Sequence, residues 1–472
     1  MLLARLLDPV HLAFVGLVEP ISFMAIAVFC LGVSTTLEKN VPRLLVTDAP
    51  KAYAMMRTGF LVVCVVIALM VIASVLFVEH WAPVLLRKYT FQTETIVLFA
   101  LPIAVYMFGS ILSTNLLVTG STEDYSKIRI YGNLTANTSA LGFYALYPSD
   151  VAVFVGLAVG QLPFLAWGLF LQRSWLFEAR MYSPLRLIGE SRIYYLEGVF
   201  NTFRYAGDSL IVSSFLGPVA MAHYFVARTV AGQLNVFFQP LNTVIVHRFG
   251  MKLGESQGNL EQDFSRVWGM APPLYIWFTA CYAACIPAIV VLFAGETYSG
   301  SQITSVVIAF VFLGVAVLSI GERVLFVMGT SFERFRVTLV DNAMTLTLLG
   351  LTMSIATPTT VALAWLGGTI ITLIFIRYRA KKIGFTWPTD VPIGKAILVS
   401  FPVPLIALSG MNYEGSLDLT YLFIVFLLSI ASLFVLILSQ SDAEESEVLS
   451  LIPERLKVPY RCIRSIRPGS NR

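Results

Sequence analysis

The sequence predicts an all-α polytopic membrane helix bundle, and three observations carry that prediction. Of its 472 residues 57% are hydrophobic and only 13% charged, and the mean hydropathy is +0.79. Soluble domains carry about 25% charged residues, so surface of this composition is stable only with lipid as its solvent. The apolar residues fall into runs of about 20, the length at which a helix crosses the hydrocarbon core. Basic residues gather after alternate runs, as topology signals do.

Taken in order, the runs are 12–33, 52–78, 94–118, 128–148, 151–172, 194–216, 219–246, 267–293, 302–321, 336–356, 359–378, 394–410 and 420–439. The first is too long for a signal-peptide core, carries Glu19-Pro20 and lacks an A-x-A exit, so it reads as a retained membrane helix. The segments after odd-numbered runs hold Lys39, Arg43 and Lys51, then Lys127 and Arg129, then Arg173, Arg180, Arg186 and Arg192. The pattern continues to Arg377, Arg379, Lys381, Lys382 and Lys395. With the hydrophilic tail, that side carries 26 Lys and Arg, against Arg87 and Lys88 on the other. The positive-inside rule places it, and the C-terminus, in the cytoplasm of a multi-pass inner-membrane protein.

Thirteen spans with an inner C-terminus put residue 1 outside. A short repeat bears on this: Leu7-Asp8-Pro9-Val10 precedes the first run and Leu216-Gly217-Pro218-Val219 the seventh. The seventh has a helix before it and the first has none. The expected architecture is two six-helix lobes, with the first helix missing upstream, plus two C-terminal helices. The expected boundaries are an N-terminal lobe at 1–172, a cytoplasmic linker at 173–192, a C-terminal lobe at 193–384, two extra helices at 385–440 and a cytoplasmic tail at 441–472. The end of that tail, 448–466, has the composition of an amphipathic helix on anionic lipid.

Polar groups inside a bilayer are costly and usually face a bundle interior or a wet cavity. Glu197, Asn201, Arg204 and Asp208 follow helical spacing along one face, and Tyr224, Arg228, Asn235, Gln239 and Asn242 stripe the next run. Asn133 and Asn137 stripe the fourth, Asp341 sits in the tenth, Glu19 in the first and Arg57 near the start of the second. One reading is a polar cavity between lobes. Arg204 and Arg228, with Arg57, Asn201, Tyr224, Asn235 and Asn137, would bind an anionic head group such as a diphosphate, because guanidinium offers paired donors to phosphate oxygens. Asp208, Glu19 or Asp341 would bind a coupling proton or sodium ion. The other reading is structural: Arg204 and Asp208 are spaced to pair within one helix, and Asn and Thr side chains glue helices together. Glu197 and Glu322-Arg323 lie near the cytoplasmic ends and are expected at the interface.

Several chemistries are excluded. Cys281 and Cys285 lack zinc spacing, His11, His80, His223 and His247 form no ligand set, and there is no P-loop, nucleophile elbow or HExxH. No metal, cofactor or catalytic site is therefore expected. The sequons at Asn133 and Asn137 lie inside a predicted membrane helix, out of reach of glycan transfer. The basic residues follow topology, so nucleic acid is not an expected partner.

Two stretches resemble the polysaccharide flippases of the multidrug/oligosaccharidyl-lipid/polysaccharide exporter superfamily. One is Arg5-Leu6-Leu7-Asp8-Pro9, followed by a helix closing with Leu31-Gly32-Val33 and the basic segment from Lys39 to Arg43. The other is Asp208-Ser209-Leu210-Ile211, then Phe215-Leu216-Gly217-Pro218, then Tyr224-Phe225-Val226-Ala227. Asp8 departs from the family's usual glycine. The resemblance implies two bundles rocking around a central cavity. It also implies export of a lipid-diphosphate-linked oligosaccharide (an O-antigen, exopolysaccharide or capsule unit) coupled to an ion gradient. Implied partners are that lipid-linked cargo, membrane lipids, and polysaccharide polymerase and export proteins. Two alternatives stand beside it: an ion-coupled multidrug/cation antiporter of the same superfamily, whose cavity should be rich in acids and aromatics, and a non-transporting membrane partner of a polysaccharide synthesis complex.

Overall fold

The computed structural model describes residues 3–80, 93–235, 237–238, 257–328, 331–385 and 387–388. Among them the chain is helical throughout, with no strand. The helices are α1 (Leu3–Leu6), α2 (Pro9–Gly16), α3 (Val18–Phe29), α4 (Val33–Thr47), α5 (Ala49–Leu76), α6 (Thr93–Val118), α7 (Thr122–Leu146), α8 (Asp150–Glu178) and α9 (Pro184–Thr202). They continue as α10 (Asp208–Ile211), α11 (Pro218–Gly232), α12 (Gln257–Ala294), α13 (Gln302–Met328), α14 (Ser331–Thr352) and α15 (Pro358–Lys382). Among the described residues eight stretches are long and apolar enough to cross a membrane, α2 and α3 counting together as Pro9–Phe29. The predicted runs at 394–410 and 420–439, the tail and its amphipathic segment, and Arg248 and Lys252 lie outside the described residues.

Two segments expected as loops are helical. The basic stretch after the first run is α4, which starts where Gly32 turns the chain at φ 69°. A Cβ on Gly32 would come within 2.4 Å of the Tyr195 backbone nitrogen, so the residue is fixed both by left-handed backbone and by close approach to α9. Thr36 then donates to Ser191 Oγ at 2.8 Å. The linker expected at 173–192 is mostly helix as well. α8 runs to Glu178, α9 begins at Pro184, and Ser183 caps it by accepting from the Arg186 N–H. Proline at the first turn costs a helix nothing, because that N–H has no partner inside it.

The chain forms two compact units. Unit 1 comprises Met1–Phe225, Arg334–Ala343 and Ser354–Val361; unit 2 comprises Val226–Glu333, Met344–Met353 and Ala362–Arg472. In unit 1 the tightest pair is α7 against α8. Gly156 and Gly160 stand one turn apart on α8, and Ala136 and Ala140 stand one turn apart on α7. A Cβ at Gly156 would lie 2.6 Å from Ala140 Cα, and one at Gly160 would lie 2.4 Å from the Thr135 carbonyl oxygen. Small residues let the backbones touch, which is how helices gain van der Waals contact where no hydrophobic effect drives them together. Thr135 Oγ1 adds a donor to the Gly160 carbonyl at 2.7 Å. Nearby, Phe14, Phe99 and Phe154 close on each other from α2, α6 and α8 with ring centroids 4.8–5.4 Å apart. In unit 2, Glu333 of α14 takes both a 2.8 Å and a 2.5 Å hydrogen bond from the Arg379 guanidinium of α15.

Candidate functional site

The polar stripe 197–208 does not stay on a regular α-helix. Phe203–Gly207 and Val212–Leu216 are π-helical turns on either side of α10. A π turn holds an extra residue, and such turns occur often at functional sites. The α spacing that would align all four stripe residues is therefore not kept past residue 202.

Asp208 opens α10 and is 6% exposed; the hydroxyl of the fully buried Tyr224 donates to its Oδ2 at 2.6 Å. That separation falls in the short range of a hydroxyl bonded to a carboxylate. Ser209 Oγ lies 3.5 Å from Oδ1. The same unit packs the 334–343 stretch of α14 against α9. Thr338 Oγ1 reaches the Asn201 amide oxygen at 3.5 Å, and Asn342 Nδ2 donates to the Phe200 carbonyl at 2.5 Å. Asp341, beside Asn342, is 1% exposed. Glu197 is 3% exposed and Glu322 8% exposed. Both side chains are buried. Unit 1 thus pairs Asp208 with Tyr224, sets Asn201 against Thr338 of α14, and buries Glu197 and Asp341. Arg204 lies in the first π turn.

A second polar group crosses three helices of unit 1. Glu19 on α3 is exposed and lies close enough to Tyr106 of α6 for its charge to act on the phenol. Arg129 of α7 hydrogen-bonds the same phenol and donates to Tyr125 at 2.8 Å. Arg129 nevertheless remains exposed. Asn133 and Asn137 continue the Arg129 face at four-residue intervals; both are exposed, and Asn137 Nδ2 donates to the Asn133 carbonyl at 2.7 Å. At the start of α7, Lys127 stands 2.6 Å from Glu123 and its hydrogen bond holds that carboxyl below the usual range.

In unit 2, Arg228 is half-buried with its guanidinium carbon 5.5 Å from the centroid of Trp365, a cation–π distance. Asn235 is half-buried on the continuation of the same run. Arg57 is placed elsewhere: its guanidinium donates to the carbonyl of Ala179, the residue that ends α8, while Thr58 and Tyr182 exchange backbone and hydroxyl hydrogen bonds beside it. Arg57 therefore fastens the short α8–α9 connection. Among the described residues no group of His, Cys, Asp and Glu has the arrangement of a metal site.

Arg129 and Tyr106 were not among the sequence-derived site residues. Arg129 reads as one more topology charge at the edge of its run, and only the four-residue recurrence of Tyr125, Arg129, Asn133 and Asn137 marks it as part of a helix face.

Comparison with solved structures finds this helical fold in known membrane proteins. The chain is similar to the lipid II flippase MurJ in its inward-closed conformation, with a TM-score of 0.67 and 12% identity, covering 92% of this chain and 95% of that one. It is similar to an inward-facing multidrug resistance MATE family transporter of the MOP superfamily, with a TM-score of 0.67 and 14% identity, covering 82% and 94%. A MATE transporter in complex with MaL6 aligns with a TM-score of 0.61 and 13% identity over 79% and 89%. No protein-family model matches the sequence, and no curated protein matches it. The chain has the multi-pass membrane fold that these flippases and transporters share.

Proposed function

We propose that this protein moves a lipid-diphosphate-linked oligosaccharide across the cytoplasmic membrane by alternating access, with its basic ends and C-terminus in the cytoplasm. The observation that carries this reading is a pair of guanidinium groups on bundle helices, each beside aromatic rings. Arg129 stays exposed while two phenols hold it, and Arg228 is half-buried over Trp365. A phosphate-bearing cargo is what such groups suit, because guanidinium offers paired donors to phosphate oxygens. The fold match to a lipid II flippase supports the same class of cargo. Asp208, Glu19 and Asp341 are the coupling-ion candidates on this reading, and Arg204, Asn201, Tyr224, Asn235 and Asn137 are the further cargo-binding candidates. Polymerase and export proteins would take the cargo on release.

A second reading has its own observations. Glu19 exposed on a spanning helix and Asp208 buried on Tyr224 suit an ion-coupled antiporter of organic cations, and the fold match to a multidrug transporter is equal in TM-score. Proteoliposomes separate the two. The proposal expects outward movement of a short-chain polyprenyl-diphosphate oligosaccharide and no uphill movement of a cationic dye. Dye transport without lipid transport would establish the antiporter, and movement of neither would leave a non-transporting membrane partner.

A further inference from the structure

Away from these groups, Asp8, His11 and Asp150 meet at the end of unit 1 opposite the basic segments. Asp8 caps α2: its Oδ1 accepts the Val10 N–H at 2.8 Å and the His11 N–H at 3.0 Å, and its Oδ2 pairs with His11 Nδ1. The other ring nitrogen, Nε2, lies 3.5 Å from Oδ2 of Asp150 on the first turn of α8. The imidazole therefore stands between two carboxylates on different helices. The Asp150 side chain is 8% exposed and its Oδ1 is buried without a hydrogen-bond partner. Burial makes a carboxylate depend on a nearby charged partner, and the His11 ring lies beside this one. Below it the site is closed by rings: Phe14 lies three residues beyond His11, Phe154 four beyond Asp150, and the two meet with Phe99.

We propose that Asp8, His11 and Asp150 form a proton-binding site, whose loaded state is a carboxylate–imidazolium–carboxylate bridge clasping α2 to α8. The proton arrives from solvent on the side of the His11 ring, which is half exposed, and the aromatic trio stops it from passing deeper. When the imidazole is neutral, only one nitrogen can donate, so one of the two carboxylates loses its partner and the clasp opens. The charged groups acting on Asp150 among the described residues are His11 and Asp8, and the one acting on Asp8 is His11. Around them, α1 carries Arg5, and α7 ends with Tyr147, exposed, and Tyr144, whose hydroxyl donates to the Leu6 carbonyl at 3.2 Å. Burial pushes the Asp8 carboxyl up, but hydrogen bonds from the His11 backbone and ring, the charge of that ring and the Val10 N–H outweigh it and hold Asp8 below 3.8. That the site faces the outside rests on the orientation proposed above; the clasp itself does not.

Histidine changes charge between about pH 5 and 8, so the test is hydrogen–deuterium exchange of the purified chain at pH 5.5 and 8, corrected for intrinsic rates. The proposal expects the amides of α2 to lose protection at least tenfold at the higher pH, with α5 as an unchanged internal control. His11→Gln and, separately, Asp150→Asn should abolish that pH response. Equal protection of α2 at both pH values in the wild type, or a wild-type response in Asp150→Asn, would overturn it. Exchange needs no cargo, so a failed transport assay leaves this result standing and the reverse also holds.

Discussion

Replacing Tyr224 by Phe removes one hydroxyl and nothing else from a fully buried site. The oxygen it serves, Asp208 Oδ2, is 2.6 Å away, and Asp208 is 6% exposed. A hydrogen bond between neutral groups on membrane helices averages about 0.6 kcal/mol, whereas one to a charged group contributes about 1.5–3 kcal/mol. The short separation belongs to the second kind. A double-mutant cycle of Tyr224→Phe and Asp208→Asn, read from thermal unfolding in detergent at neutral pH, should therefore give a coupling energy of about 1.5 kcal/mol or more, near a tenfold change in the folding equilibrium. A coupling at or below about 0.6 kcal/mol would refute the reasoning, since it would make the Asp208–Tyr224 pair ordinary helix glue. The same variants report on function: if the pair belongs to a coupling site, Asp208→Asn loses gradient-driven transport while keeping downhill exchange.

Other outcomes follow from the packing and the charges. Gly160→Val should lower stability by about 1–3 kcal/mol, because its Cβ would overlap the Thr135 carbonyl, whereas Gly142→Val, where nothing lies near, should not; thermal midpoints in detergent check both. Asp8 titrates below its ordinary value when folded, so its stabilisation is complete above the unfolded value and lost as pH falls through the folded one. Asp8→Asn should therefore flatten the acid limb of the stability curve and leave its shape unchanged above about pH 6. Arg379→Lys keeps the charge but cannot reproduce the two-pronged bond to Glu333; it should open the junction of α14 and α15 to exchange, and Glu333→Gln should do so to a similar degree.

The fold class was legible because lipid imposes one rule on every span, and the apolar runs 52–78, 94–118, 302–321 and 359–378 fall on α5, α6, α13 and α15. What sequence could not separate was a basic loop from a basic helix. α4 has the charges of a loop and sits at the end of a run, and its helical state follows from packing on α9 through Thr36 and Ser191. The stretch 173–192 shows the same: α8 and α9 are each lengthened past the hydrophobic limit, which is a matter of helix continuation and not of hydropathy. For the site, helical spacing found the stripe at 197–208 but assumed a regular helix, and the π turns are backbone events with no residue signature in this stretch. Arg57 and Arg129 show the limit most clearly. Both are arginines near the start of a run, and only their partners, a carbonyl at Ala179 for one and two phenols for the other, tell them apart.

The most direct test is equilibrium binding of three polyprenyl ligands to the purified protein: an oligosaccharide on a diphosphate, the same sugar on a monophosphate, and the free alcohol. The diphosphate should bind at least tenfold tighter than the alcohol, with the monophosphate between them, and Arg129→Gln and Arg228→Gln should each narrow that spread while the protein stays folded. Equal affinity for all three, or a spread untouched by either substitution, would contradict a phosphate-reading role for Arg129 and Arg228.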